Sequence, residues 1–457
     1  MKIHVQTINF REILIMPLKQ QYVNAIVLSA SGDALGWMTE FYSDSKQLAK
    51  KFGTSQITKF LNWERFCGNR YNGYKDIISS GSYSDDTQLM LAVARSINIE
   101  GKCDHQHFAK IELVGWLDYK RGAGMATTEA AQKIQRKSAS WNNNFYIKKQ
   151  NNIIINYSNA GGNGAAMRVL PISLAFIHNL ELTLEEIFCN SIVTHGHPRA
   201  IIGAMLYGLI INTIINLKLN GIELLIYIGQ NMQAVLLRVL DNILRRGVLT
   251  SWFKIWEQNG KNFDSEYRLV IQDCLNILRN GYTVIKNNKD LYHLFELMGV
   301  FNPDFKGSGV STVIAALFCF CKIKNYYDGI IYAVNLLGAD TDSIAGFLGA
   351  MYGVFMQDDI TDNFIGVQDF NYLVLVAENL FNIADKNHIT KSIYVNTNYK
   401  VELLHENLYQ HVSLGYGEVI NSDIILTNTK NLVINRKNVN FFIGQSAVII
   451  NRLNEVQ

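Results

Sequence analysis

Apolar residues recur at the three- and four-residue spacing of a helix face through most of the chain. Leu89, Val93 and Ile97 repeat one turn apart behind the pair Asp85-Asp86. Apolar runs of helical length follow at 182–193, 201–217, 222–246, 267–278, 311–322 and 372–384. Between about residues 20 and 381 the pattern therefore predicts helices joined by polar loops. Only four prolines, Pro17, Pro171, Pro198 and Pro303, stand in the whole chain, so little interrupts those helices.

The pattern changes after His388. Short runs rich in Val, Ile, Tyr and Asn fall at 392–397, 401–404, 423–427, 432–435, 439–443 and 447–451. Asn, Gly, Ser and Lys punctuate them at the interval of a small β-domain. The expected architecture is mainly α: a compact all-α core over residues 1–388, with a small β-rich module over 389–457 as a C-terminal appendage. No fixed-period repeat is evident.

Of the 457 residues, 48% are hydrophobic and 18% charged, enough apolar material for a sizeable core and too much for a disordered chain. A net charge of +3 gives no strong electrostatic case for nucleic acid or an anionic membrane surface. The six cysteines show no CxxC pair and no zinc-ligand spacing, so they read as reduced thiols of a cytoplasmic protein. The stretch 200–219 is the longest apolar run, but Asn212, Asn216 and Lys218 break it and a buried helix is expected rather than a membrane span. Residues 1–20 carry no signal-peptide core.

Five segments carry candidate chemistry. Ser31-Gly32-Asp33-Ala34-Leu35-Gly36 is followed by Glu40, and its two glycines, one turn apart, suit close helix packing. Ser84-Asp85-Asp86-Thr87 opens an apolar helix. Taken alone, capping is the first reading of such residues at a helix start; the other is a hard-cation site, since clustered carboxylates and a hydroxyl are the oxygen donors that magnesium or manganese prefers. Gly161-Gly162-Asn163-Gly164-Ala165-Ala166-Met167-Arg168 is either a plain turn or a loop whose N–H groups meet a diphosphate. It is neither a dinucleotide fingerprint nor a Walker loop. Thr194-His195-Gly196-His197-Pro198 lies between two helices and lacks the partners for zinc. Gly338-Ala339-Asp340-Thr341-Asp342-Ser343 repeats the acidic pattern ahead of a helix with Gly346, Gly349 and Gly353 on one face. Carboxylates at the mouth of a buried helix are costly unless paired or bound to metal, and two such clusters suggest one shared centre.

In this order the segments resemble the ADP-ribosylglycohydrolase family, whose members include the hydrolase that reverses ADP-ribosylation of dinitrogenase reductase. The likeness spans about residues 20 to 360. It implies an all-α fold with a binuclear centre of two Mg2+ or Mn2+ ions, ligated by Ser84, Asp85, Asp86, Asp340, Asp342 and Ser343. The last of these positions is often Thr in the family, and Ser343 keeps the hydroxyl. Glu40 matches the acid that some members use in catalysis, with Asp340 the second candidate catalytic residue. Gly162, Asn163, Gly164, Met167, Arg168 and His197 match the segments around the ADP-ribose diphosphate and ribose. The tail after residue 388 lies outside the family pattern.

The resemblance implies hydrolysis of the bond between ADP-ribose and a modified acceptor, a protein side chain first among them, with ADP-ribose as product. Such cleavage develops oxocarbenium character at the anomeric carbon. Paired cations can hold ribose hydroxyls and position a water, and a carboxylate can exchange the proton. The alternative is a non-catalytic ADP-ribose-binding or structural relative, which would be expected to lose metal acids or the early Glu; here Glu40 and all four aspartates are present.

Overall fold

In a computed structural model the described residues are 17–68, 73–150, 153–258, 260–386, 407–428 and 432–454. The longer helices are α1 (Lys19–Gly36), α2 (Asp85–Arg95), α3 (Leu180–Ser191), α4 (Pro198–Leu217), α5 (Gly221–Arg246), α6 (Phe263–Lys286), α7 (Gly309–Lys322), α8 (Tyr326–Val334), α9 (Thr341–Phe355) and α10 (Phe370–Ala384). Further short helices and helical turns join them. Each apolar run expected to be helical overlaps one of these, with ends shifted by a few residues at most except in α6, which extends well past 267–278; the run at 182–193 stops at Ser191.

The helical run is interrupted by two antiparallel hairpins, β1 (Trp63–Cys67) with β2 (Tyr74–Ile78) and β3 (Ile147–Gln150) with β4 (Ile153–Asn156). The pattern of residues 20–381 as helices and loops did not include them. In β2 the buried positions Tyr74, Asp76 and Ile78 alternate with exposed ones, a period-two signal only five residues long.

The middle of the bundle is α4. Among the described residues it is the one helix long and apolar enough to cross a membrane, and 89% of its most apolar window is buried inside the fold. Pro198 sits at its first turn, where the missing N–H costs nothing. Around it pack α3, α5, α6, α7 and α9. At its N-terminal end Gly203 lies against α7 so tightly that a Cβ there would stand 2.2 Å from Gly309 O.

The tightest pairing is between α1 and α9. A Cβ on Gly32 would meet Ala345 O at 2.2 Å, one on Gly36 Thr341 O at 2.4 Å, one on Gly349 Leu28 O at 2.2 Å and one on Gly353 the Ala25 backbone at 2.4 Å. These pairs run in opposite directions along the two helices, so the C-terminal end of α1 lies beside the N-terminal start of α9. The expected packing role of the early glycines is met by glycines on both partners. Main chain touches main chain, and Thr341 Oγ1 donates to Gly36 O at 2.8 Å across the crossing.

At the C-terminus, β5 (Leu408–His411), β6 (Gly415–Leu426), β7 (Leu432–Phe441) and β8 (Ser446–Asn454) form an antiparallel meander in that order. The runs expected at 432–435 and 439–443 are one continuous strand, and the run at 423–427 is the far end of a strand that begins at Gly415. Those expected at 392–397 and 401–404, like the boundary near 388, lie outside the described residues. The sheet rests on the helices through polar seams. Arg95, paired with Glu112 at 2.7 Å, donates to Gln445 Oε1 at 2.6 Å. Asp369 accepts from Ser446 N at 2.9 Å and Ser446 Oγ at 2.6 Å. His411 Nε2 lies 3.2 Å from Gly115 O.

The glycine crossing makes a stability prediction. Gly349→Ala places a methyl against a carbonyl that cannot move without its helix, so it should cost about 1–3 kcal/mol of stability. Gly346→Ala is the control, because its Cβ would stand 3.4 Å from Ser29 O. That substitution should leave the melting temperature unchanged or raise it, given the roughly 1 kcal/mol advantage of Ala over Gly in a helix. Thermal melts of both variants distinguish this packing from a merely permissive one, in which the two would behave alike.

Candidate active site

Four of the five chemical segments meet at one end of the α1–α9 crossing; of the fifth, Thr194–Pro198, His195 reaches the same place. Past Gly36 the chain turns through Trp37–Phe41, and Thr39 Oγ1 donates to Gly36 O at 2.9 Å, holding the turn. This aims Glu40 at the start of α9. One carboxylate oxygen each from Glu40, Asp340 and Asp342 falls within 4.8 Å of the others. Asp85 and Asp86, from the start of α2, line the same cleft of about 620 Å³ with Ser343, Gly162, Asn163, Gly164 and Met167.

The two acidic clusters are tied by a single bond: Ser343 Oγ donates to Asp86 Oδ2 at 2.6 Å. Asn163 Nδ2 donates to Asp340 Oδ2 at 2.9 Å, fixing the late cluster to the glycine loop. Asp342 Oδ1 accepts from Ser343 N at 2.9 Å.

Capping and the acidic site prove to be divided between different residues. Ser84 Oγ accepts from Asp86 N at 3.2 Å and is the N-cap of α2. Asp33, from α1, takes the rest: Ser84 N at 3.0 Å, Thr87 N at 3.0 Å and Thr87 Oγ1 at 2.6 Å. With the helix start satisfied by Ser84 and Asp33, the carboxylates of Asp85 and Asp86 are left for the cleft. Asp33 stands in the first motif, yet sequence reasoning gave it no role, because nothing in the motif shows that it reaches another helix.

Burial and mutual repulsion dominate the electrostatics. Burial, then the neighbouring Asp340, push the Glu40 carboxyl up to about 8. Burial, then Asp33, push Asp85 up to about 7. Asp86 and Asp342 are held well above the usual carboxylate range by burial first and neighbouring acids second. Burial raises Asp33 as well, against the lowering effect of its bonds from Thr87 and Ser84. Glu40 Oε2 is buried with no hydrogen-bond partner among the described residues. An orphaned buried carboxylate oxygen facing other carboxylates fits a hard divalent cation, whose donors are oxygens and whose charge removes the repulsion. Glu40 thus stands among the potential donors as well as beside them.

The remaining expected residues are distributed differently. Arg168 is fully buried beneath the glycine loop, donating to Asn190 Oδ1 at 2.8 Å, Asn190 O at 2.8 Å and Gly164 O at 2.6 Å; it braces the loop and does not line the cleft. Burial lowers its guanidinium to about 9. His197 is the N-cap of α4, its Nδ1 accepting from Arg199 N at 3.0 Å, and it too lies off the cleft lining. The neighbouring His195 lines the cleft instead, with Nδ1 2.7 Å from Thr194 Oγ1 and its pKa lowered to about 3 by burial and then Arg168. The loop's own N–H groups are partly committed: Asn163 N donates to Gly307 O at 2.8 Å. Residues 122–127 and 303–308, with Asn159, Gly161 and Arg199, complete the lining. The histidine pair signalled His195 and His197 equally, whereas Lys306 and Phe305 gave no signal because only the fold brings that loop to the glycine segment.

Carboxylates from the turn after α1 and from the starts of α2 and α9 thus converge beside a glycine loop at one end of a helical bundle. The ADP-ribosylglycohydrolase family model matches residues 16–384, and the chain belongs to that family. Among curated proteins, one from Archaeoglobus fulgidus, described as uncharacterized, is 24% identical over 80% of this chain and 97% of its own length. The ADP-ribosylarginine hydrolase Tri1 of Pseudomonas putida is 24% identical over 61% of this chain and 60% of its own. The ADP-ribosyl-[dinitrogen reductase] glycohydrolase of Rhodospirillum rubrum is 27% identical over 37% of this chain and 49% of its own. The chain thus spans about half to three-fifths of those two named relatives. A solved ADP-ribosylglycohydrolase-related protein complex aligns with a TM-score of 0.46 at 17% identity, covering 80% of this chain and 98% of that one.

The raised carboxyls set a pH dependence in the absence of divalent cation. A folded-state pKa above the unfolded value means that the folded chain holds protons the unfolded chain has released, so stability falls as pH rises through that window. For Glu40 the window runs from 4.5 to about 8, and for Asp85 from 3.8 to about 7. In EDTA the melting temperature should therefore decline from about pH 5 to about pH 8. Magnesium or manganese should flatten the decline by binding the ionised cluster. A profile identical with and without cation would remove the metal reading.

Proposed function

We propose that this protein is a divalent-cation-dependent hydrolase that cleaves the glycosidic bond between ADP-ribose and a modified acceptor, a protein side chain, through a centre of two Mg2+ or Mn2+ ions. Family membership supports ADP-ribosyl hydrolysis as the reaction class. The observation that carries the finer reading is the convergence of Glu40, Asp85, Asp86, Asp340 and Asp342 on one cleft, with a buried Glu40 oxygen that has no partner. Because two relatives are named for ADP-ribosylarginine and ADP-ribosyl-[dinitrogen reductase], these are the acceptors to test first.

In this reading Asp85, Asp86, Asp340 and Asp342 hold the cations, and Ser343 fixes the spacing between the two clusters through Asp86. When bound, the cations would supply electrophilic stabilisation and orient the ribose hydroxyls and water. Glu40 has the burial and raised pKa of a group that carries a proton near neutral pH, which suits general acid–base exchange with the leaving atom or the attacking water. Asn163, anchored on Asp340, and Arg168, anchored on Asn190, keep the glycine loop against the cleft. The non-catalytic alternative gains no specific support, since the acids whose loss would mark it are present and gathered.

Glu40→Gln keeps the shape but cannot exchange a proton, so turnover should fall by about 10²–10⁴ while ADP-ribose still binds. Asp342→Ala should instead weaken cation binding, and with it both turnover and ADP-ribose affinity. Calorimetry with ADP-ribose and mass-spectrometric release assays on ADP-ribosyl-arginine and ADP-ribosyl-serine peptides separate the two effects. Near wild-type turnover in the Glu40 variant would leave it without a catalytic role.

A further inference from the structure

Away from the cleft, a second group of donors meets where the 98–105 loop lies against α3. Cys103, His105 and Glu186 each place a potential ligand atom within 4.8 Å of the others. His105 links them. Its Nδ1 lies 3.6 Å from Cys103 Sγ, and its Nε2 lies 2.7 Å from Glu186 Oε2. The ring is held in place, packed on Trp141 with centroids 5.2 Å apart and itself 9% exposed.

These distances match a particular arrangement. Two donors on one tetrahedral zinc, with Zn–S near 2.3 Å and Zn–N near 2.05 Å, stand about 3.6 Å apart. That is the separation of Cys103 Sγ and His105 Nδ1. Histidines that bind metal through one nitrogen commonly donate the other N–H to a carboxylate, which fixes the tautomer and the ring plane. Glu186 occupies that outer position at hydrogen-bond distance. The proposed function uses none of these three side chains.

We propose that Cys103 Sγ and His105 Nδ1 bind a zinc ion, with Glu186 orienting the imidazole through Nε2. Binding replaces protons: the thiol loses one, and the ring keeps its single N–H on Nε2 toward Glu186. The ion would clamp the 98–105 loop to α3. That helix also carries Asn190, which holds Arg168 beneath the glycine loop, so the site braces the wall of the cleft from behind.

Cobalt substitution tests this on the full-length protein, with millimolar magnesium present to occupy the oxygen donors of the cleft. Titration with Co2+ should produce the sulfur-to-cobalt charge-transfer absorption of a thiolate ligand and tetrahedral visible bands, both displaced by one equivalent of Zn2+. Cys103→Ser should abolish the charge-transfer band. Glu186→Gln, which retains every donor, should weaken zinc at least tenfold while keeping the spectrum. A wild-type protein that shows no thiolate band, or a band that survives in Cys103→Ser, overturns the proposal whatever the variants do to folding. The readout is independent of hydrolysis, so it stands or falls separately from the proposed activity.

Discussion

The site depends on two helices whose backbones touch. Gly32 and Gly36 on α1, and Gly349 and Gly353 on α9, leave no room for a Cβ, so main chain packs on main chain over several turns. The register of that crossing is fixed to within a fraction of a residue, because any slide would put a side chain where only hydrogen fits. Both ends of the acidic centre inherit this precision. Glu40 follows α1 by one turn of chain, Asp340 and Asp342 open α9, and Thr341 locks the join by donating to Gly36 O. Asp33, one turn back from the end of α1, carries the same register to α2 and so to Asp85 and Asp86.

Placing so many acids together is unfavourable unless each has a use. Asp33 is compensated by three donors, and Asp342 and Asp86 each accept one bond from Ser343, from its N–H and its hydroxyl respectively. Glu40 is not compensated on one oxygen. The bundle thus tolerates local electrostatic strain that the rest of the core, built from tightly packed Ala, Ile, Leu and aromatic side chains, holds in place. Arg168 illustrates the other side of the same rule. It is buried completely, but its bonds to Asn190 and Gly164 make it a fastener rather than a ligand contact.

Much of this was legible in the sequence because helices announce themselves by period and the acidic motifs by repetition. The long helices α4 and α5 and the glycine face of α9 follow directly from spacing. The hairpins β1–β2 and β3–β4 did not, since strands of four or five residues give too few alternations to outweigh a helical background. The motif residues were legible as a group, but their division of labour was not. Ser84 and Asp86 are neighbours in sequence, yet one caps and the other faces the cleft, and only the position of Asp33 across the helix pair decides which. His195 and His197 differ in the same way: α4 starts at Pro198, so His197 is taken as its cap and His195 is left to turn inward. Cys103, His105 and Glu186 gave no signal because their donors come from a loop and a helix some eighty residues apart.

The antiparallel pairing of α1 with α9 also has a temporal side. Gly36 and Thr341 are separated by 305 positions, so α1 must wait for α9 to be made before its small-residue face is covered. Contacts of such long range are slow to form and cannot be rehearsed by a partial chain. During synthesis α1 is therefore an unclaimed surface with a buried-type sequence. The acidic centre comes into being in one step at the end. A nascent or truncated chain holds half the carboxylates at a helix start and the other half nowhere, and it has no cleft in which to gather them.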